Sequence, residues 1–202
     1  MPNDCCNYLV IKFKSLENLN NFKNKYLTKS DSNEDEFDFE KVVPSPKTKE
    51  ECPANCIANK DSSIVKEDSR PWFDWYKWNI INWGTKWNSY ENCIDEDKEN
   101  TLKIAFCTAW DPAIPVIKAL ANQIEEDFKY TYYECGMCIA GEIVRENGEI
   151  SEFDCNELSD IEYRQFLLDN ELEDEEYLSE FYVIKDGKII KAKEDEEEIN
   201  NG

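Results

Sequence analysis

The chain has 202 residues, which fits one domain with insertions or a domain with an appendage. Hydrophobic residues make up 41% of it, enough for a packed core, and the net charge of −22 disfavours binding to nucleic acid or to an anionic membrane and favours a basic partner. The sequence has no histidine, which excludes Ser-His and Cys-His nucleophile pairs and any His-ligated metal site.

No segment of the sequence is predicted to enter a membrane. The apolar runs fall well short of the roughly 20 residues that a membrane helix needs. The start of the chain, Met1-Pro2-Asn3-Asp4, lacks the basic and apolar regions of a signal peptide. We therefore expect a cytoplasmic protein whose nine cysteines are free thiols in a reducing compartment.

The chain is predicted to begin with a strand and an amphipathic helix. Residues 7–13 are rich in β-branched and aromatic side chains, which predicts the strand. Ser15 is a favourable N-cap for a helix over about 16–27. The apolar face of this helix is formed by Leu16, Leu19, Phe22 and Tyr26. The stretch 37–43 alternates in polarity and predicts a short strand, and about 44–70 is predicted to be an inserted loop.

The middle of the chain alternates between further helices and strands. In chain order, we predict a helix at about 72–81, a strand at 101–107, a helix near 113–126, a strand at 128–134 and a hairpin over 137–145 and 149–153. The hairpin turns at Asn147-Gly148, a pair typical of type I′ turns.

The chain becomes strongly acidic beyond residue 155. Residues 156–202 contain 16 acidic and 5 basic side chains, so half of the net charge lies in less than a quarter of the chain. A helix over about 157–168 is predicted, followed by a hairpin over 181–190 that turns at Asp186-Gly187. The last nine residues, EDEEEINNG, are expected to be frayed.

Together these elements predict an α+β fold. The order strand, helix, strand, strand, helix, strand is that of the ferredoxin-like split βαβ, an antiparallel sheet with both helices on one face. We therefore predict a ferredoxin-like domain over 1–155 that carries an acidic insertion. A C-terminal helix and hairpin form an acidic appendage over 156–202. The helices near 16–27 and 113–126 are expected on the same face of the sheet.

Four short segments within the first 150 residues form a recognisable set. They are Pro2-Asn3-x-Cys5-x-Asn7, Asn82-Trp83-Gly84-Thr85-Lys86-Trp87, Thr108-Ala109-Trp110-Asp111-Pro112 and Glu134-x-Gly136-x-x-Ile139-x-Gly141. This set resembles the YubB-type ferredoxin-like family of phage and plasmid proteins. The chain departs from the family at Asp4, where an aromatic residue is expected, and in the long insertion. The resemblance implies a ferredoxin-like fold and a mobile-element context, and it implies no activity.

The tryptophan-rich segments contain one candidate ligand-binding group, formed by Trp83, Lys86, Trp87 and Trp110. Indole rings can stack on a flat ligand while a lysine meets an anionic group. The alternative is that the tryptophans pack as a second small core. We expect Trp83, Trp87 and Trp110 to be mostly buried, because exposing an indole forgoes roughly 1.5–3 kcal/mol.

Cysteines and carboxylates supply two further candidate sites. The cysteine pairs with spacings that a structural zinc tolerates are Cys52/Cys56 and Cys135/Cys138. We expect these cysteines to be thiols packed as small apolar groups, with no metal or cofactor bound. Glu134 and Asp111 are the candidates for a carboxylate dyad, but a buried structural hydrogen bond is the expected role of Glu134.

The acidic run after residue 170 is the preferred candidate for a partner-binding surface, because ordered carboxylates can imitate the phosphates of nucleic acid. The predicted partner-binding residues are Glu171, Glu173, Asp174, Glu175, Glu176 and Glu180. We interpret the protein as a non-enzymatic binding protein of a phage or mobile element. Its expected role is that of a counter-defence inhibitor, such as an anti-CRISPR protein, which docks on the basic nucleic-acid-binding surface of a host protein. The alternative is a small-ligand or metal-binding module that uses the tryptophans or the cysteines.

Overall fold

A computed structural model describes residues 3–58, 70–97, 99–154 and 158–193. The elements within these ranges are, in chain order, β1 (Asp4–Lys12), α1 (Leu16–Tyr26), β2 (Leu27–Lys29), β3 (Asp35–Phe37), α2 (Phe39–Val42), α3 (Trp75–Asn82), β4 (Tyr90–Glu96), β5 (Thr101–Ala109), α4 (Ile114–Ala121), β6 (Asp127–Glu134), β7 (Ile139–Glu146), β8 (Glu149–Asp154), α5 (Asp160–Asp169), α6 (Glu175–Leu178), β9 (Tyr182–Lys185) and β10 (Lys188–Ala192). A short 3-10 turn, Ala54–Cys56, lies in the insertion.

Six strands form one antiparallel sheet in the order β4-β5-β1-β6-β7-β8. In the chain, α1 lies between β1 and β4, and α4 lies between β5 and β6. Four strands and two helices in this order make the split βαβ arrangement. The β7–β8 hairpin extends the sheet beyond β6. The predicted ferredoxin-like fold is confirmed.

The first face of the sheet carries the main core. Alternate side chains of a strand point to opposite faces, and Cys5, Leu9 and Ile11 of β1 are fully buried on this one. The helix residues that pack into the same core are Leu19, Phe22 and Tyr26 of α1 and Val116, Ile117, Leu120 and Ala121 of α4. Both helices therefore cover one face, as predicted.

The second face of the sheet is only partly covered. On it, Tyr8 of β1 stacks on Tyr133 of β6, with ring centroids 6.2 Å apart, and Cys6 lies opposite Cys107 of β5. Burial raises the pKa of the Cys107 thiol to about 12 and also raises that of Cys6. These two cysteines therefore remain protonated at neutral pH.

The helix α5 covers the β7 side of the second face. Phe166 stacks on Phe153 of β8, with centroids 5.8 Å apart, and packs with Tyr163 and Leu167 around Ala140 of β7. A capping box of Ser159 and Glu162 starts the helix, and the hydrogen bonds from the Ser159 hydroxyl and backbone N–H hold the pKa of Glu162 below its ordinary value.

The C-terminal hairpin packs in turn on α5. Leu178, Tyr182 and Ile189 are buried together and contact residues of α5. The Ile189 N–H also donates to Gln165 Oε1 at 2.8 Å. Residues 158–193 therefore form an ordered unit on the sheet. The stretch 194–202, expected to be frayed, lies outside the described residues.

The predicted strand over 37–43 is wrong. Phe37 ends β3, and Asp38 caps the short helix α2 that begins at Phe39. Both phenylalanines are fully buried and contact Phe106, which explains why their spacing suggested a strand. The strand that completes the split βαβ is β4, which periodicity missed because none of its side chains is fully buried.

The remaining boundaries follow the sequence closely. Asn147 and Gly148 have φ angles of 52° and 85°, and Asp186 and Gly187 have 52° and 71°, so both predicted hairpin turns are confirmed. The helix α4 is shorter than predicted and ends at Ala121. Residues 59–69 of the inserted loop lie outside the described part of the chain.

Among the residues that the structure describes, no helix is both long and apolar enough to cross a membrane.

The docking of α5 on the sheet predicts unequal effects for two phenylalanines of the appendage. Phe166→Ala should lower the free energy of unfolding by about 3–5 kcal/mol, because it leaves a cavity between α5 and β8. Phe181→Ala is the control, since this ring is 50% exposed and should cost only about 0.5 kcal/mol. Urea unfolding followed by far-UV circular dichroism compares the two, and equal losses would contradict this account of α5.

Candidate functional site

A strongly acidic stretch of the described appendage is the segment 169–180, which we call the acidic arm. It contains seven carboxylates and no basic residue. The chain leaves α5, turns at Glu171 with a φ of 56°, and continues through α6. The Leu172 N–H donates to the Leu167 carbonyl at 2.9 Å, and Leu178 is only 1% exposed. Backbone bonds and one buried leucine therefore fix the arm in place.

Five of the six predicted partner-binding residues are exposed; they are Glu171, Asp174, Glu175, Glu176 and Glu180. The sixth, Glu173, is 15% exposed, and its Oε1 accepts a hydrogen bond from Arg164 Nη1 at 2.6 Å. Glu173 therefore ties the arm to α5 and is not available to a partner.

The basic residues of the appendage lie outside the arm, chiefly on the hairpin at Lys185, Lys188, Lys191 and Lys193. Lys188 pairs with Asp169 at 3.4 Å, but both side chains are at least half exposed, and such pairs contribute about 1 kcal/mol or less. Glu171, Glu175, Glu176 and Glu180 form no ion pair within the described ranges. Most of the arm's charge is thus directed at solvent.

Two of the three tryptophans expected to be buried are exposed. Trp83 is 4% exposed, packs on Phe39 and Trp78, and donates its indole N–H to the Val43 carbonyl. Trp87 and Trp110 are 39% and 43% exposed, so the prediction was wrong for both. Trp83 belongs to the core, but it also lines a pocket of ≈ 330 Å³ together with Trp87, whereas Trp110 is not among the residues that line this pocket.

Half-buried Lys86 lies beside exposed Trp87, next to α3. The Lys86 ammonium lies 4.5 Å from the Trp87 ring centroid and 5.9 Å from that of Tyr76. The Trp87 ring also contacts Tyr90 at 6.4 Å. Lys86 is therefore already engaged by aromatic rings.

The four segments quoted for the family resemblance meet at one end of the sheet. The Trp110 N–H donates to the Asn3 carbonyl at 2.9 Å, and Thr85 exchanges hydrogen bonds with the backbone of Ala109. Glu134 is 2% exposed and accepts from the N–H groups of Gly136 and Met137 at 2.8 and 2.7 Å. The expected structural hydrogen bond of Glu134 is confirmed.

A shallow cleft of ≈ 420 Å³ opens at this end of the sheet. Its lining is mostly apolar and comes from Ile80, Gly84, Asp111, Pro112, Ile114, Pro115, Tyr132 and Ile139. Desolvation raises the pKa of Asp111, the charged residue of the lining, and repulsion from Glu134 adds to this effect. Trp110, which precedes Asp111, has a φ of 72°, a strained backbone conformation for a bulky residue.

The cysteines of the described residues lie in separate parts of the fold. Within the described ranges, no three cysteine, aspartate or glutamate side chains are placed so as to hold a metal ion. Cys52 and Cys56 are buried in the insertion, whereas Cys135 and Cys138 lie in the turn between β6 and β7.

Two aromatic residues of the appendage were missed by the sequence-based prediction. Tyr177 and Phe181 are 54% and 50% exposed, and their ring centroids are 5.4 Å apart. Their spacing of four within an otherwise acidic run is a signal that the sequence already contained, since such residues face each other on one turn of helix.

Residues 82–181 match the family model of the ferredoxin-like domain in Api92-like protein. These 100 residues are just under half of the chain, and they include β4 to α6 and the whole acidic arm. A crystal structure of a protein api92 from Yersinia pseudotuberculosis is similar, at 13% identity and a TM-score of 0.41. The alignment covers 62% of this chain and 43% of that one, so it spans less than half of the solved protein. No curated protein matches.

The close packing at Gly84 predicts a substitution effect that can be separated from backbone strain. Gly84 and Gly148 both have positive φ, so Ala at either position should cost about 1–2 kcal/mol in strain. A Cβ at Gly84 would also lie 2.7 Å from Pro115 Cδ and 2.8 Å from the Pro112 carbonyl oxygen, whereas at Gly148 it meets nothing within 4 Å. Urea unfolding should show that Gly84→Ala costs about 1–3 kcal/mol more than Gly148→Ala. Equal losses of unfolding free energy would mean that Pro112 and Pro115 can move aside to accommodate the added methyl group.

Proposed function

We propose that the protein is a non-enzymatic binding protein whose acidic arm docks on the basic nucleic-acid-binding surface of another protein. The observation that supports this most is that the arm is part of a folded unit. Backbone bonds, the Arg164–Glu173 pair and buried Leu178 hold five carboxylates outward in one segment. Carboxylates held in fixed positions should bind a basic surface more tightly than the same carboxylates on a flexible tail, because less conformational entropy is lost on binding.

A protein partner is favoured over nucleic acid by the charge of the chain. A net charge of −22 repels phosphates at long range and steers basic proteins towards the arm. The same carboxylates can take the place of phosphates in a groove lined by Lys and Arg. Direct contact with nucleic acid or membrane has no part in this proposal.

The proposed setting is the cytoplasm of a host cell that carries a phage or other mobile element. The match over residues 82–181 is to the ferredoxin-like domain in Api92-like protein and names no phage or plasmid setting. The proposed setting rests on the resemblance of four segments to the YubB-type family. In this setting, a protein that occupies a basic nucleic-acid channel would act as a counter-defence inhibitor, as anti-CRISPR proteins do.

The proposal predicts that neutralising the arm weakens partner capture. We expect the variant Glu171→Gln/Asp174→Asn/Glu175→Gln/Glu176→Gln to lose about 30-fold in affinity, since four exposed pairs at about 0.5 kcal/mol each give about 2 kcal/mol. Asn at position 174 keeps the cap of α6, and Glu173 is left to hold Arg164. The measurement uses the full chain as bait in a bacterial lysate, followed by titration of the captured protein.

A charge-matched control separates local docking from net charge. The variant Glu17→Gln/Glu50→Gln/Glu99→Gln/Glu149→Gln removes four exposed carboxylates elsewhere and should keep most of the affinity. Double-stranded DNA and salt towards 1 M, where the Debye length is about 3 Å, should both release the partner. A complex indifferent to DNA, to salt and to the arm variant would refute the proposal.

The cleft beside Asp111 supports a second candidate function, the binding of a small apolar ligand with a cationic group. The favouring observation is that Trp110, which directly precedes the lining residue Asp111, is exposed and has a strained backbone conformation. Tryptamine serves as the probe, and AMP as a flat anionic comparison. If the cleft binds tryptamine, the indole N–H resonance of Trp110 should shift with tryptamine and not with AMP. Trp110→Ala should then abolish tryptamine binding without unfolding the chain. Trp87→Ala is the control, and shifts confined to Trp87 would reject the cleft.

A further inference from the structure

The appendage contains a second cleft, which we call the aromatic notch. It has a volume of ≈ 420 Å³ and lies between α5, α6 and the last hairpin. Tyr177 and Phe181 line it with rings inclined at 62° to each other. Leu178 and Tyr182, at 1% and 9% exposure, are the buried residues of the lining, and Asp160 and Glu180 supply its carboxylates.

The exposed rings are not needed to hold the appendage together. Leu178, Tyr182 and Ile189 bury the hairpin against α5, whereas about half of Tyr177 and of Phe181 remains in water. Exposed aromatic surface in an acidic run has an unfavourable hydration free energy, and contact with a ligand would recover part of it. The two rings are therefore available to a partner.

The charges around the notch favour a cation as that ligand. Arg164 also lines the notch, but its charge is already met by Glu173 Oε1 at 2.6 Å and by Asp160 Oδ1 at 3.7 Å. Lys193 lies at the notch as well: its backbone N–H donates to the Phe181 carbonyl, and its exposed ammonium forms no ion pair in the described ranges. This single positive charge stands against five exposed carboxylates of the arm. Glu180 forms no ion pair in the described part of the chain, and the neighbouring arm adds carboxylates without any lysine or arginine.

We infer that the aromatic notch binds an arginine side chain of the basic partner. A guanidinium is flat, so it can stack on an aromatic face while its N–H groups donate to a carboxylate. The notch offers both partners in one place, with the rings of Tyr177 and Phe181 beside the carboxylate of Glu180. A lysine ammonium matches the charge equally well but lacks the flat stacking surface. This inference rests on the proposed function and deepens it. The arm attracts the basic partner, and the notch then binds one arginine side chain of that partner.

The test compares two end-blocked fluorescent peptides of equal charge, nona-arginine and nona-lysine. Anisotropy titration of the full chain at 0.15 M salt should show that nona-arginine binds about three- to fivefold more tightly, the preference that about one stacked guanidinium supplies. Tyr177→Ala/Phe181→Ala should abolish this preference while changing the nona-lysine affinity less than about twofold, because no charge is lost. Tyr177→Phe should retain the preference.

A matched aromatic pair elsewhere provides the control. Tyr76→Ala/Trp87→Ala removes the exposed rings beside Lys86 and should leave the arginine preference intact. If the double notch variant unfolds, which circular dichroism would reveal, each single variant should still lose part of the preference.

The outcomes separate this inference from the proposed function. Equal binding of both peptides by the wild-type chain, or a preference that survives the notch substitutions, would overturn the notch while salt-sensitive docking through the arm stands. If neither peptide binds even at low salt, both the notch and the docking proposal fail. A preference lost in the notch variant and kept in the control establishes the arginine site.

Discussion

The contact between α5 and the sheet is the interaction on which the C-terminal appendage, residues 158–193, depends. Phe166, Tyr163 and Leu167 close over Ala140, where a small side chain lets the helix approach. The hairpin then packs on α5, and the arm is fixed between the two. Loss of this contact would release every carboxylate that we assign to docking, although none of the residues forming it is charged.

A polar pair plays a different part in the same unit. Arg164 and Glu173 are both mostly shielded from solvent, and each leaves a buried polar atom without a hydrogen-bond partner in the described residues: Nε of Arg164 and Oε2 of Glu173. Such a pair gives little net stability, but its geometry selects one placement of the arm over others. The acidic arm therefore owes its position to apolar packing and one ion pair.

An element of this structure could be predicted from the sequence where interactions between residues close in the chain determine it. The hairpin turns at Asn147-Gly148 and Asp186-Gly187 and the amphipathic helix α1 follow from short-range rules, and they were found. The strand β4 was not found, because an edge strand with no fully buried side chain has weak periodicity. Among the candidate site residues, Glu173 was expected to be exposed but is mostly buried, because it pairs with Arg164 of α5. The notch was missed because its lining includes Asp160 and Arg164, which the fold brings to the arm from α5.

The way in which the arm is anchored also determines how freely its sequence can drift. A basic surface responds to the summed field of the arm more than to any one carboxylate, so aspartate and glutamate can exchange or move by one position at Glu171, Glu175 or Glu176 with little loss. Glu173 and Leu178 have no such freedom, because one neutralises Arg164 and the other fills the space beneath the hairpin. Among related chains, we therefore expect the residues of this arm to vary while its net charge is retained. Glu173 and Leu178 are the two positions that we expect to vary least.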